Sequence, residues 1–505
     1  MMAAMDRRHL LHALPALGVL GASLALPALA QPRGRDAVVI GMTLEPPGLD
    51  PTVGAASAIA EVVHYNVFET LTRIGPDGQV GPGLALSWEV SPDLRTYTFR
   101  LRRGVRFHNG EPFTAAAVKF SFERAGGEAS TNKDKRVFAN IAVIGNPEPE
   151  VLVLVLKQAE PDFLFLIGQA TAAIVEPRSV ATNAQQPVGT GPYQMAGWVR
   201  GASLQLKTFE GYAQRGQPLP PIRRATFRFI SDPAAQMAAL LSGDVDAFPR
   251  VAAARSLEQF KRQPQRFQLI IAGSRAKTLL AMNHRRKPLD DVRVRRALSM
   301  ALDRKALITV AADGFGLPIG SHYVPDAPGY VDLTGLTPHD PARARTLLKE
   351  AGVRDLALTL KLPPAPYARQ GGELVAAQLA QVGVQVKLEN VEWAQWLSGV
   401  YGAHNYDLTL ISHVEPFDLG NFAKPGYYWG YESKTFNELW QRYLASTREA
   451  ERLKLLGEMQ RRIAEDAVAA WLYQPQWITV AQARLKGLWT GMPIFVNDLA
   501  ALRWE

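Results

Sequence analysis

Between residues 96 and 107 the chain alternates apolar and polar positions. Tyr97, Phe99 and Leu101 fall on one face and Thr98, Arg100 and Arg102 on the other, the period of a half-buried strand. Gly104 interrupts the alternation, Val105 and Phe107 resume it, and His108-Asn109-Gly110 closes it with a turn signal. Thr114 is then placed to cap a helix whose Val118, Phe122 and Ala125 share a face. Upstream, Gly75-Pro76-Asp77-Gly78 predicts a hairpin turn and residues 84–90 a strand before Ser91-Pro92-Asp93.

The rest of the chain reads in the same alternating manner. Strands are expected at residues 38–40, 151–156, 227–230, 279–283, 356–362, 384–388 and 472–480. Helices are expected at 58–70, 232–242, 288–307, 342–351, 372–382 and 447–470, while 126–136 reads as a surface loop. Asp232-Pro233 and Asp340-Pro341 are helix starts, and Gly243, Gly352 and Gly383 are stops. Strands and helices interleave, so the class is mixed α/β. No 20–50-residue repeat interrupts the pattern.

At 505 residues the chain exceeds one ordinary core, and about two to four domains are expected. The net charge of +9 is spread without a run of five or more Lys/Arg, which reads as a solvated surface and excludes a nucleic-acid partner. There is no cysteine, so disulfides, thiolate chemistry, Cys-based zinc sites and a lipid on an N-terminal cysteine are excluded. Residues 1–30 carry Arg7-Arg8, an apolar stretch from Leu10 to Leu26 and Ala28-Leu29-Ala30, the marks of an export signal with a cleavage site. Arg7-Arg8-His9-Leu10-Leu11 also resembles a twin-arginine signal. A soluble, exported, periplasmic protein is expected.

Several runs together carry a resemblance. Phe68-Glu69-Thr70-Leu71, Pro82-Gly83-Leu84-Ala85, Trp88, Tyr97 to Arg102, Phe107-His108-Asn109-Gly110 and Phe113-Thr114-Ala115 stand in order. Gly189-Thr190-Gly191-Pro192-Tyr193 follows, its glycines expected to adopt backbone conformations that other residues resist. Asp232-Pro233 with Leu240, Gly243 and Asp246, and the run Pro288 to Ala297, complete the set. This order resembles extracellular solute-binding protein family 5, the peptide/nickel group that serves ATP-driven (ABC) importers.

The resemblance implies a two-lobed periplasmic-binding-protein fold (type II, cluster C) with an extra domain inserted in the first lobe. It divides the chain into lobe I (31–52, 184–272 and 484–505), the extra domain (53–183) and lobe II (273–483). It also implies a monomer that captures a small polar solute between its lobes and delivers it to an inner-membrane permease with cytoplasmic ATPases. No enzymatic activity, cofactor or metal is implied.

A cleft ligand needs aromatic or apolar walls and a few convergent polar groups. The richest stretch is His413-Val414-Glu415-Pro416-Phe417-Asp418, followed by Tyr427-Tyr428-Trp429-Gly430-Tyr431. In peptide-binding relatives the comparable loop carries an acid that pairs with the ligand's ammonium, a role Glu415 or Asp418 would fill. Tyr428 and Trp429 are candidates to stack on a cation, and His413 sits near where nickel-chelate binders use a histidine. Trp393 and Trp396, three residues apart, would share a face if helical. Glu45 and Tyr65 lie beside turns expected to face the cleft. Dipeptide binders carry a Trp-Gly-Asp-like approach where this chain has Ile411-Ser412-His413. The ligand therefore stays open among a di- or tripeptide, an opine-like or other amino-acid conjugate and a nickel chelate. An exported hydrolase finds no Gly-x-Ser-x-Gly or His-Glu-x-x-His to support it. A chaperone or receptor-accessory protein on the same fold is the remaining alternative.

Overall fold

The computed structural model describes residues 34–54, 56–216, 218–251 and 256–505; the expected export signal lies outside the described residues. One 12-stranded sheet runs through the molecule. From one edge its order is Val384–Asn390, Leu356–Leu362, Leu408–His413, Lys277–Met282, Ala469–Gln482, Ala247–Phe248, Ala37–Met42, Arg224–Phe229, Ser203–Thr208 and Tyr193–Val199. Two further strands, Phe267–Gly273 and Gly316–Pro318, pair with the long strand Ala469–Gln482. That strand joins the halves: Thr278 opposes Tyr473 on one side of the junction, and Gly273 opposes Gln476 on the other. The chain therefore passes between halves twice, around residues 273–277 and 473–476.

The half-sheet containing Lys277–Met282 is buried on both faces, which is why its strands carry apolar residues on both, as at Leu279-Leu280-Ala281-Met282 and Leu410-Ile411. Leu280, Met282, Leu360 and Leu410 pack beneath the helices Val292–Met300, Arg304–Ala311, Pro341–Glu350 and Pro366–Ala380. Leu279, Ala281, Ile411 and Trp471 face the opposite way, toward Lys434–Ala445 and Glu449–Glu465. A separate four-stranded antiparallel sheet has the order Ala85–Val90, Thr96–Leu101, Val151–Leu156, Ile141–Glu148. Its alternation is the expected one: Tyr97, Phe99 and Leu101 are buried with Val118 and Phe122 of the helix Ala115–Gly126, and Arg100 is exposed. Burying a ring such as Phe99 contributes about 2–3 kcal/mol. Among the described residues no helix is long and apolar enough to cross a membrane.

Four local expectations need correction. The helix expected over 58–70 is only Ser57–Val63. Tyr65 lies at φ 61°, outside helical space, and Asn66 turns its amide onto the Val62 carbonyl at 2.9 Å. The helix expected over 288–307 starts only at Val292, capped by Asp291, and is two, because Asp303 accepts from the Lys305 and Ala306 N–H groups at 2.9 and 3.2 Å and starts a second one. The loop expected at 126–136 contains a buried anchor, Asn132, which donates to the Thr171 carbonyl at 2.9 Å, and the helix Lys135–Ala139 begins within it. Gly189 and Gly191 are required by close approach rather than by unusual backbone, since a Cβ on either would collide with the carbonyls of Val67 and Asn66.

Candidate functional site

The strands Lys277–Met282 and Leu408–His413 are antiparallel, with Lys277 opposite His413 and Thr278 opposite Ser412. Successive side chains of a strand point to opposite faces. At the end of the half-sheet nearest the junction, Thr278 and Ser412 therefore look one way and Lys277 and His413 the other. Each pair builds a different environment.

On the Thr278–Ser412 flank lies a cavity of about 230 Å³ between the two halves of the long sheet. Thr278, Ser412, Tyr367 and Tyr473 line it from one half, Arg250 and Val251 from the other, and Trp477 from the strand that joins them. Thr278 donates to the Ser412 hydroxyl at 3.2 Å, and Tyr367 accepts the Ser412 N–H at 3.0 Å. The Tyr473 hydroxyl is buried with no hydrogen-bond partner.

On the other flank, Lys277 and Asp418 form a buried ion pair at 2.8 Å, and His322 Nε2 lies 2.7 Å from the other carboxylate oxygen. Lys277 also donates to the Glu415 carbonyl. Burial alone would raise the Asp418 carboxyl, but His322 and the Lys277 ammonium hold it well below the usual carboxylate range. His322 and His413 are each pushed down to about 4, chiefly by burial. His413 Nε2 is 2.9 Å from the Tyr428 hydroxyl. Donor atoms of His322, His413 and Asp418 lie within 4.8 Å of one another, a spacing a metal ion could use. The fit is poor: Asp418 is already neutralised by Lys277, so a divalent ion would enter as uncompensated buried charge. The His322–Asp418 pair also lacks a nucleophile, because His322 Nδ1 has no hydrogen-bond partner.

The other residues singled out from sequence are scattered. Glu45 is taken up by its own surroundings, accepting from Trp198 Nε1 and from the Gly201 N–H, each at 2.9 Å. Tyr65 is buried; its hydroxyl accepts from the Ile74 N–H at 2.7 Å, and its ring lies beneath the Arg73 guanidinium at 4.0 Å. Trp393 and Trp396 do pack together, edge-on with ring centroids 6.0 Å apart; Trp396 is buried and donates to Thr409 at 3.0 Å, while Trp393 is 45% exposed. Tyr428 and Trp429, expected as cation-stacking walls, are core residues at 1% exposure, and Trp429 stacks on Phe422 at 4.4 Å. Glu415 is exposed beside His413, so of the two acids in this loop it is the one without a buried cation on its carboxylate.

Arg250, Lys277, His322, Tyr367, Tyr473 and Trp477 had not been singled out. Lys277 left one signal, a lysine opening a strand whose last four residues are apolar. The loop 413–418 also meets the unit built on the four-stranded sheet: Phe417 packs edge-on against Phe165 at 4.8 Å. Nearby, the Tyr443 hydroxyl lies 3.2 Å from Asp162.

Residues 79–431 match the family described as bacterial extracellular solute-binding proteins, family 5 Middle. The glutathione-binding protein GsiB of Salmonella typhimurium is 32% identical over 397 residues, 77% of this chain and 75% of its own length. Among solved structures, the periplasmic binding protein AgaA of A. tumefaciens R10 in complex with agropinic acid superposes with a TM-score of 0.77 at 26% identity, covering 93% of this chain and 99% of that one. The periplasmic binding protein DppA of Helicobacter pylori in complex with the peptide STSA gives a TM-score of 0.77 at 22% identity, covering 93% and 98%.

Proposed function

We propose a function from the premise that this chain belongs to the bacterial extracellular solute-binding proteins of family 5: it is the substrate-binding component of an ABC importer and not an enzyme. Its fold is the two-lobed α/β fold of the periplasmic binding proteins. In our reading the solute is a short peptide or another amino-acid-derived compound, the class to which the glutathione and STSA peptide of two relatives belong. The protein works in the periplasm and hands its solute to an inner-membrane permease with cytoplasmic ATPases. The lobes are drawn as 31–52, 184–272 and 484–505 for the first, 273–483 for the second and 53–183 for the extra domain.

The observation that carries this reading is the cavity at the sheet junction, to which both halves contribute polar side chains. A solute touching both halves binds the closed arrangement better than the open one and shifts the population toward it. Glu415, exposed at the neighbouring loop, is the acid we assign to a ligand ammonium; Asp418 serves the fold through Lys277. Native mass spectrometry of the purified protein, before and after denaturation and refolding, tests the reading. An adduct of peptide or amino-acid-conjugate mass that refolding removes is expected. A metal-bearing adduct would instead favour a nickel chelate. Failure to take up any peptide or amino-acid conjugate after refolding would overturn the proposal.

A further inference from the structure

We infer that the junction cavity is an anion subsite, in which Arg250 binds a carboxylate of the captured solute; the inference rests on the solute-binding reading above. Arg250 follows the short strand Ala247–Phe248 and takes a left-handed backbone conformation at φ 55°. Such a conformation is costly for a non-glycine residue and persists where the surroundings hold it. It points a guanidinium at the cavity from the half of the sheet opposite Ser412 and Tyr367. Trp477 and Phe495 flank that guanidinium at 5.3 and 5.0 Å.

The guanidinium has five N–H donors. Among the described residues its one ion-pair partner is Glu61, from the helix Ser57–Val63, leaving most of those donors for something else. Burial pushes Arg250 down to about 10, so it is still a cation at neutral pH; its side chain is 21% exposed, so an anion joining Glu61 on the guanidinium keeps contact with water, unlike an ion added to the sealed Lys277–Asp418 pair.

The rest of the wall is also made of donors. The Tyr473 hydroxyl is buried and unpartnered. Tyr367 accepts the Ser412 N–H, which leaves its own hydrogen free to donate. Burial pushes the Tyr367 phenol up to about 12, so it stays protonated. The acid on this wall, Asp313, is already engaged. One partly buried cation and two available hydroxyls converging from opposite halves of the sheet suit a planar carboxylate, which a guanidinium grips through two parallel hydrogen bonds.

Isothermal titration calorimetry tests this with glutathione, dialanine and trialanine, each beside its carboxyl-esterified form. The proteins are the full chain and its Arg250→Gln and Arg250→Lys variants, with folding checked by circular dichroism. The wild-type protein is expected to bind the acid of at least one pair about 100-fold more tightly than the ester. Arg250→Gln should lose about 100-fold for the acid and bind acid and ester within about threefold. Arg250→Lys keeps a cation for Glu61 without the fork, so it should fold even if Gln does not and lose about tenfold. Equal wild-type affinity for acid and ester, or an acid-to-ester ratio unchanged in the folded variants, overturns the subsite and leaves solute capture standing. Binding of neither form of any probe overturns the peptide-solute reading, and the inference with it.

Discussion

Asp418 and Asp162 are both largely buried aspartates, and their carboxyls move in opposite directions. For each, burial is the largest influence and acts upward. Asp418 ends below the ordinary range because Lys277 sits 2.8 Å from one oxygen and His322 2.7 Å from the other. Asp162 ends up at about 7, because burial and the neighbouring acid Glu160 outweigh the hydrogen bond from Tyr443 and the weaker pull of Arg452, which forms no ion pair with it. Depth alone does not set a buried acid's charge; the counter-charge does. Asp418 lies in the loop that follows the strand Leu408–His413 and stays ionised at any physiological pH. Asp162 links the four-stranded-sheet unit to the helix Lys434–Ala445 and changes charge near neutrality.

The largest effect should come from breaking the first of these. Lys277→Met leaves Asp418 buried without its cation, and urea denaturation should show a loss of about 3–5 kcal/mol. The double variant Lys277→Met with Asp418→Leu should recover most of that, because an apolar pair of similar volume needs no desolvation repaid. If the double variant is as unstable as the single one, packing rather than charge holds this corner.

Next in size is the pH dependence, where the two regions oppose each other. His322 and His413 titrate at about 6.5 when unfolded and about 4 when folded. As pH falls from 6.5 to 4 the unfolded chain takes up protons that the folded one refuses, and each histidine removes up to about 1.4 kcal/mol per pH unit. Asp162 runs the other way, from 3.8 unfolded to about 7 folded, so its contribution is favourable at low pH and is lost as pH rises to 7. Asp162→Asn should therefore gain on the wild type by about 1–3 kcal/mol between pH 4 and pH 7, read from thermal melts across that range. A constant difference would mean that Asp162 is ionised throughout.

The smallest change is Tyr443→Phe, which removes one hydrogen bond to Asp162 and should cost about 1 kcal/mol. The loss should be greatest above pH 7, where the carboxylate is charged.

The fold was largely readable from local pattern because the positions that matter are periodic. Tyr97, Phe99 and Leu101 announce one buried face, and Asp232 with Gly243 brackets a helix whose cap is made by a 2.7 Å bond to Ala235 N. The errors fall where one side chain redirects the backbone, as at Asn66 and Asp303. The site was much less readable. Aromatic residues serve a cleft wall and a core equally well, so Tyr428 and Trp429 look the same in either role until their burial is seen. The loop 413–418 was found, yet the partners that give Asp418 its role, Lys277 and His322, are 141 and 96 positions away in the chain. Arg250 carries no pattern at all; its place depends on two sheet halves meeting beside residues 475–478.

The most direct measurement is a calorimetric titration of refolded protein with glutathione and a set of di- and tripeptides. Capture at the junction predicts saturable uptake of one solute per chain, with a matching rise in melting temperature. No heat and no thermal shift with any member of the set would contradict it.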